Sequence, residues 1–220
     1  MRLPRPARYR WSGPIYDAVS LERILYRPAR VTGIDLLRLH PGQSVLDIGC
    51  GTGLNFPLLE ARVGLTGLVV GVDSSAGMLA QARRRTRRAG WDNVVLLHID
   101  AADLNPHAVR QLTEKNRGVE AIVATYALSV TPRWQRAWAR ARAAAAPGAR
   151  IAVVDLGMPT GHAAVFAPLA RLACAAGGAD PHRNPGPVAV SQAIDRTRIR
   201  RLGGHVVVHA GTLPGTPTAS

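Results

Sequence analysis

The stretch Val45-Leu46-Asp47-Ile48-Gly49-Cys50-Gly51-Thr52-Gly53 leaves this chain few folds to choose from. An apolar strand ends in an acid and runs into a turn with glycine at every second position. Backbone approaches a ligand closely only where side chains are absent, and tight turns often need positive φ; glycine meets both demands. The dinucleotide pattern G-x-G-x-x-G sets a pyrophosphate on the N-terminus of the next helix. Here the spacing is G-x-G-x-G, and Leu54 stands where the third dinucleotide glycine would be. Asp47, just before the turn, would repel a pyrophosphate. A cofactor that carries a sulfonium and an ammonium but no phosphate suits that acid better.

Two further segments repeat the strand-then-acid pattern. Leu68–Val72 is continuously apolar, as a parallel strand buried on both faces must be. It ends at Asp73, where an acid accepts hydrogen bonds from ribose hydroxyls. Ser74 and Ser75 are placed to cap a helix over Ala76–Arg88. Met78, in the first turn of that helix, suits either an adenine face or the core. Val94–Ile99 reads as a third strand closed by Asp100 and Ala101, and an acid there can accept from an adenine amino group. Each acid alone reads as a solvated loop aspartate. Three of them at strand ends, in register with βαβ units, point to one pocket.

Taken in order, VLDIGCGTG, VVGVD, HIDAADL, VEAIVATYALS and PGARIAVVDLG resemble the class I S-adenosylmethionine-dependent methyltransferases over residues 40–157. The resemblance implies an α/β fold: a Rossmann-like, seven-stranded, mostly parallel sheet with a terminal antiparallel hairpin and helices on both faces. It implies S-adenosylmethionine as cofactor. The glycine turn would meet the methionine part, the acid after strand two the ribose, and the acid after strand three the adenine. The cofactor-binding candidates are Asp47, Gly49, Cys50, Gly51 and Gly53, then Asp73, Ser74 and Met78, then Asp100 and Ala101. Cys50 is read as a small residue tolerated in the turn.

A chain of 220 residues is long enough for one domain with a sizeable core. Residues 1–40 read as a basic arm and cap helices, and 41–220 as the methyltransferase domain with a lid-like insert at 157–190. Within the first part, 1–14 is a proline-broken arm, Ile15–Arg27 a short helix, and Pro28–Leu39 a second one. In the domain, helices are expected over Asn55–Arg62, from Pro106 to Lys115, over Arg133–Ala146 and near His162–Ala176. Strands four and five are expected over Val119–Ala124 and Ala149–Val154. Ile194–Leu202 and His205–Thr212 read as a hairpin joined by a tight Gly203-Gly204 turn of type I′.

The net charge is +14, carried almost wholly by arginine, with Lys115 the only lysine. It reads as genome composition or as attraction to an anionic partner. Cys50 and Cys174 suggest neither a disulfide framework nor a metal site. No apolar h-region follows the basic start, and no stretch has the length of a spanning helix, so the expectation is a cytoplasmic protein with peripheral membrane contact left open.

Methyl transfer from a sulfonium is an in-line displacement that asks the protein for alignment and desolvation. Tyr126, after strand four, His162 in the expected lid, and Tyr16 near the N-terminus are the catalytic candidates; Tyr126 reads equally as a packing residue. The Asn/Asp-Pro-Pro-aromatic element of DNA amino methyltransferases does not occur here, and two cysteines cannot supply the set that arsenic methyltransferases use. Tyr16-Asp17 resembles a pair near the start of quinone and phospholipid methyltransferases. The leading expectation is a small, apolar or lipid-like acceptor, with contact to an anionic membrane through the basic arm. Methylation of a soluble metabolite at nitrogen or oxygen is second. An RNA-binding methyltransferase or cofactor-binding regulator rests on charge alone, and no specific nucleic acid is expected. Carbon, nitrogen and oxygen acceptors leave no distinct mark in these motifs.

Overall fold

The structure is a computed structural model, and it describes residues 26–168, 171, 174, 180 and 183–215. The arm, Tyr16 and all but the end of the expected helix Ile15–Arg27 lie outside the described residues.

Five parallel strands, β1 (Ser44–Ile48), β2 (Leu68–Asp73), β3 (Val94–His98), β4 (Val119–Thr125) and β5 (Ala145–Leu156), form the body of a sheet. It is completed by β6 (Ile194–Arg201) and by β7 (Val206–Thr212), which runs antiparallel to both β5 and β6. The sheet has seven strands in the order β3-β2-β1-β4-β5-β7-β6. That order reverses between β1 and β4, which opens a crevice beyond their carboxyl ends, the place where open α/β sheets bind ligands.

Six α-helices are described around it: α1 (Arg27–Leu36), α2 (Phe56–Val63), α3 (Ala76–Ala89), α4 (Pro106–Gln111), α5 (Trp134–Ala143) and α6 (Pro185–Ala189). Ile34 and Leu37 by α1, Phe56 and Leu59 of α2, and Leu79 of α3 share one core with Val45, Val69 and Val123. Val109 of α4, Trp134 and Trp138 of α5, and Ala189 of α6 share the opposite core with Leu46, Val70 and Ile122. Neighbouring strand residues thus enter opposite layers, as the pleat requires. Trp138 fixes α5 to α6 by donating from Nε1 to the Ala189 carbonyl at 3.0 Å. Among the described residues no helix is long and apolar enough to cross a membrane.

Several boundaries differ from the sequence expectation. The helix from Pro106 ends at Gln111, and Glu114–Asn116 forms a separate 3₁₀ turn in which Lys115 has φ +54°. The Ala/Arg helix ends at Ala143 rather than Ala146, because Ala145 already pairs with Val119 in the sheet. Around His162 the chain forms a 3₁₀ turn, Gly161–Phe166. The hairpin closes through a 3₁₀ turn, Leu202–Gly204, between the paired residues Arg201 and Val206, so the connection is longer than a two-residue I′ turn. Positive φ at Gly203 and Gly204 is nevertheless what the connection uses.

The approach of α1 to the sheet is set by Gly33: a β-carbon there would lie 2.4 Å from Cγ2 of Val154. Gly33→Val should therefore lower stability by about 1–3 kcal/mol through overpacking, read as a drop in the urea midpoint with the slope unchanged. An unchanged midpoint would mean that α1 is free to back away from the sheet.

Candidate cofactor site

Asp47 lies on β1 and faces the layer of α1 and α2, as does Thr125 at the end of β4; the two strands are adjacent and parallel. The Asp47 side chain is fully buried. Asn55, just before α2, donates from Nδ2 to Asp47 Oδ1 at 2.8 Å and to Thr125 Oγ1 at 3.1 Å. Arg30 of α1 donates from one nitrogen to Asn55 Oδ1 at 2.7 Å and to Thr125 Oγ1 at 2.5 Å. Four elements thus meet in one buried network. Asp47 Oδ2 is buried and has no hydrogen-bond partner. Burial pushes this carboxyl up to about 7, against the Asn55 hydrogen bond and the Arg30 charge, which pull it down. An ionised acid with an unused oxygen, next to a glycine turn, suits a cationic ligand group.

The turn itself has φ of +65° at Gly49, +56° at Gly51 and +77° at Gly53. The three glycines serve different ends. A β-carbon on Gly49 would strike Ala127, and one on Gly53 would strike the Phe56 ring. One on Gly51 would meet nothing within 4 Å, so this residue faces open space. Cys50 turns its side chain into the core, where burial pushes the thiol up. Its contribution to a ligand is therefore backbone.

Asp73 ends β2 and accepts from Gly51 N–H at 2.9 Å through Oδ2 and from Ser75 N–H at 2.8 Å through Oδ1. Burial raises this carboxyl, and those backbone donors offset part of the rise. Each oxygen keeps a second lone pair for a ribose hydroxyl. Ser75, not Ser74, caps α3 by accepting from Met78 N–H at 3.3 Å, while Ser74 is exposed. Met78 is buried. Asp100 accepts from Ala102 N–H at 2.8 Å and pairs with Arg133 at 2.9 Å, starting the 3₁₀ turn Ala101–Asp103. Arg133 also grips Asp103 through both guanidinium nitrogens, which holds the Asp103 carboxyl below its usual range.

The loop after β4 is held from two sides. Tyr126 sits at φ +56° and donates its hydroxyl to the Tyr26 carbonyl at 2.9 Å; its ring meets Tyr26 edge-on and lies under the Arg30 guanidinium. On the other side Asp155, buried at the end of β5, accepts from the amide and hydroxyl of Ser129 and from Leu156 N–H. Burial pushes Asp155 up to about 6. His162 is exposed in the turn Gly161–Phe166. The sequence reading missed Arg30, Asn55, Thr125 and the Ser129–Asp155 pair. Asn55 carries the one available signal, a polar residue at the helix entry directly after the glycine turn.

Residues 45–148 match the family described as a methyltransferase domain. The chain is 36% identical over 91 residues to an aklanonic acid methyltransferase of Streptomyces sp. strain C5, covering 41% of this chain and 40% of that one. It is 30% identical over 146 residues to a phosphatidylethanolamine N-methyltransferase of Cereibacter sphaeroides, covering 66% of this chain and 64% of that one. This chain thus spans less than two thirds of either relative. In fold it is similar to an S-adenosylmethionine-dependent methyltransferase from Aquifex aeolicus, with a TM-score of 0.61 at 17% identity, over 93% of this chain and all of that one.

Two measurements test the site. Binding of the cationic cofactor should strengthen as pH rises through about 7, where Asp47 ionises, and weaken again above about 8 as the ligand's amino group loses its proton. Calorimetry from pH 6 to 9 should show the rising limb in the wild type and none in Asp47→Asn; a rising limb that survives the substitution assigns it to another group. Gly51→Val should abolish cofactor binding while costing the fold only about 1–2 kcal/mol of backbone strain. Normal binding by that variant would mean that the turn does not contact the cofactor. The buried Asp47 network, the open glycine turn, the methyltransferase domain matched over residues 45–148 and the shared fold make this chain similar to the class I S-adenosylmethionine-dependent methyltransferases.

Proposed function

We propose that this chain transfers a methyl group from S-adenosylmethionine to a small, apolar or lipid-like acceptor. The observation that carries the cofactor half is the buried, unpartnered oxygen of Asp47 beside the open face of Gly51. When bound, the cofactor supplies a methyl group activated by a sulfonium. The chain's own residues then have four tasks: to hold the cationic end at Asp47, the ribose at Asp73 and the adenine amino group at Asp100, and to keep water out.

The acceptor half rests on what walls the remaining side of the crevice. The loop 126–131 enters there, clamped by Tyr26 and Asp155. Two residues of the excursion 157–190 reach it: Asp180 N–H donates to the Ser129 carbonyl at 3.4 Å, and Arg183 donates to the Thr131 carbonyl at 2.9 Å. We read this excursion as a wall or lid over the acceptor. Alignment and desolvation by such walls are what an in-line displacement needs. A general base is required only where the acceptor must lose a proton. Asp155 spends its oxygens on Ser129 and Leu156, and Tyr126 spends its hydroxyl on Tyr26, so both fit the role of holding the loop. A lipid-like acceptor is in keeping with the phosphatidylethanolamine named for one relative; the aklanonic acid named for the other keeps a metabolite acceptor as the second reading.

Incubating the protein with methyl-labelled cofactor and a fractionated lysate should label a component of the organic phase, to be identified by mass spectrometry. Label confined to the aqueous phase would favour the soluble metabolite. Asp73→Ala removes charge-assisted hydrogen bonds worth roughly 1.5–3 kcal/mol, so the cofactor Kd should rise by about one to two decades with the fold retained. An unchanged Kd would take Asp73 out of the site.

A further inference from the structure

The carboxyl end of the sheet carries a rim of arginines around two exposed aliphatic side chains, and we propose that this rim docks the protein on an anionic lipid surface. The proposal rests on the lipid-like acceptor reading, since docking at this end would bring the crevice to the membrane.

The rim is one unit made of two segments. The β6–β7 connection and the turn Gly161–Phe166 are packed together: a β-carbon on Gly203 would lie 2.2 Å from the Ala163 β-carbon, and Thr160 N–H donates to the Gly203 carbonyl at 3.1 Å. Arg200 adds a bond to Thr160 Oγ1 at 3.3 Å. At the tips, Val165 is 73% exposed and Leu202 47%. Leu202 has φ +50°, a conformation that disfavours any residue with a β-carbon. The backbone gains nothing from leucine there, so the side chain itself is the feature that needs explaining. Of the other exposed aliphatics, Leu65, Leu112 and Ile194 adjoin the amino ends of strands and Val188 lies on α6.

Arg198, Arg200 and Arg201 are exposed beside these tips. Arg201 reaches across one face to Thr32 and Arg200 across the other to Thr160, so guanidinium groups flank the sheet edge on both sides. Among the described residues no carboxylate forms an ion pair with any of the three. The sequence places no Asp or Glu between Asp155 and Asp180, and none after Asp195. Uncompensated cations around an apolar tip match an anionic bilayer: the aliphatic groups enter the acyl boundary while the guanidiniums stay at the headgroups. A nucleic acid would use the charge but not the aliphatic tips.

The test is co-sedimentation of the full chain with vesicles of phosphatidylcholine, alone or mixed with phosphatidylglycerol. The wild type should partition onto the mixed vesicles, less so as salt rises, and hardly onto phosphatidylcholine. The double variant Arg200→Glu/Arg201→Glu should lose about fivefold or more per arginine. Val165→Ser/Leu202→Ser, which removes the apolar tips without changing charge, should lose about tenfold while keeping the salt dependence. Thermal melts and cofactor binding unchanged in both variants would show that the fold and the Asp47 site are intact. Partitioning of either double variant at the wild-type level overturns the proposal, as does a wild type that ignores mixed vesicles. So does an RNA gel shift weakened by the arginine changes without vesicle binding. Rim-dependent docking with methyl transfer only to a soluble acceptor supports the rim and removes the acceptor reading.

Discussion

A carboxylate buried at the end of β1 sets the terms for everything packed around it. Asp47 has no access to water, so its charge must be met by protein groups or not exist at all. Asn55 meets one oxygen, and Arg30 stabilises the assembly through Asn55 and Thr125. That demand explains why a helix preceding the sheet in sequence must cover the carboxyl ends of β1 and β4. It also explains the tight fit of α1 on β5 at Gly33, since Arg30 sits one turn earlier on the same helix. Removing Arg30 would leave a buried charge uncompensated, which is the costly half of a buried ion pair.

The two buried acids at strand ends show how similar surroundings give different roles. Both Asp47 and Asp155 are pushed upward by burial. Asp155 is saturated with donors from Ser129 and Leu156, and its surplus affinity is spent on fixing the loop after β4. Asp47 is left with one oxygen unsatisfied. A saturated acid holds structure, whereas an acid one donor short holds a ligand. On the proposed reading the crevice has a rigid wall on its acceptor side and an unfilled demand on its cofactor side. Alignment between the two is what a displacement reaction requires.

The βαβ frame was legible because parallel strands buried on both faces are largely apolar, as the runs Leu68–Val72 in β2 and Ala121–Ala124 in β4 are. The acids were legible because each interrupts or closes such a run, Asp47 next to last in β1 and Asp73 last in β2. What failed was local. The run Arg133–Ala146 is all good helix former, yet Ala145 belongs to the sheet, because a pairing partner at Val119 outweighs propensity. Arg30 was illegible because one arginine on an amphipathic helix looks like any solvated residue in a chain this rich in arginine. The role of Tyr126 stayed open in sequence because nothing local reveals that its hydroxyl reaches Tyr26, a hundred positions earlier.

Among the described residues β6 is the outermost strand on its side of the sheet, paired with β7. An open strand edge offers a row of backbone donors and acceptors to any passing chain, and stacking of edges is how such sheets begin to aggregate. Arg196, Arg198, Arg200 and Arg201 crowd four like charges onto this one strand. A second copy approaching edge to edge would bring its own four into the same narrow space, and the repulsion grows as the strands close. The same arginines therefore act as a guard rail. They oppose growth of the sheet beyond its seven described strands.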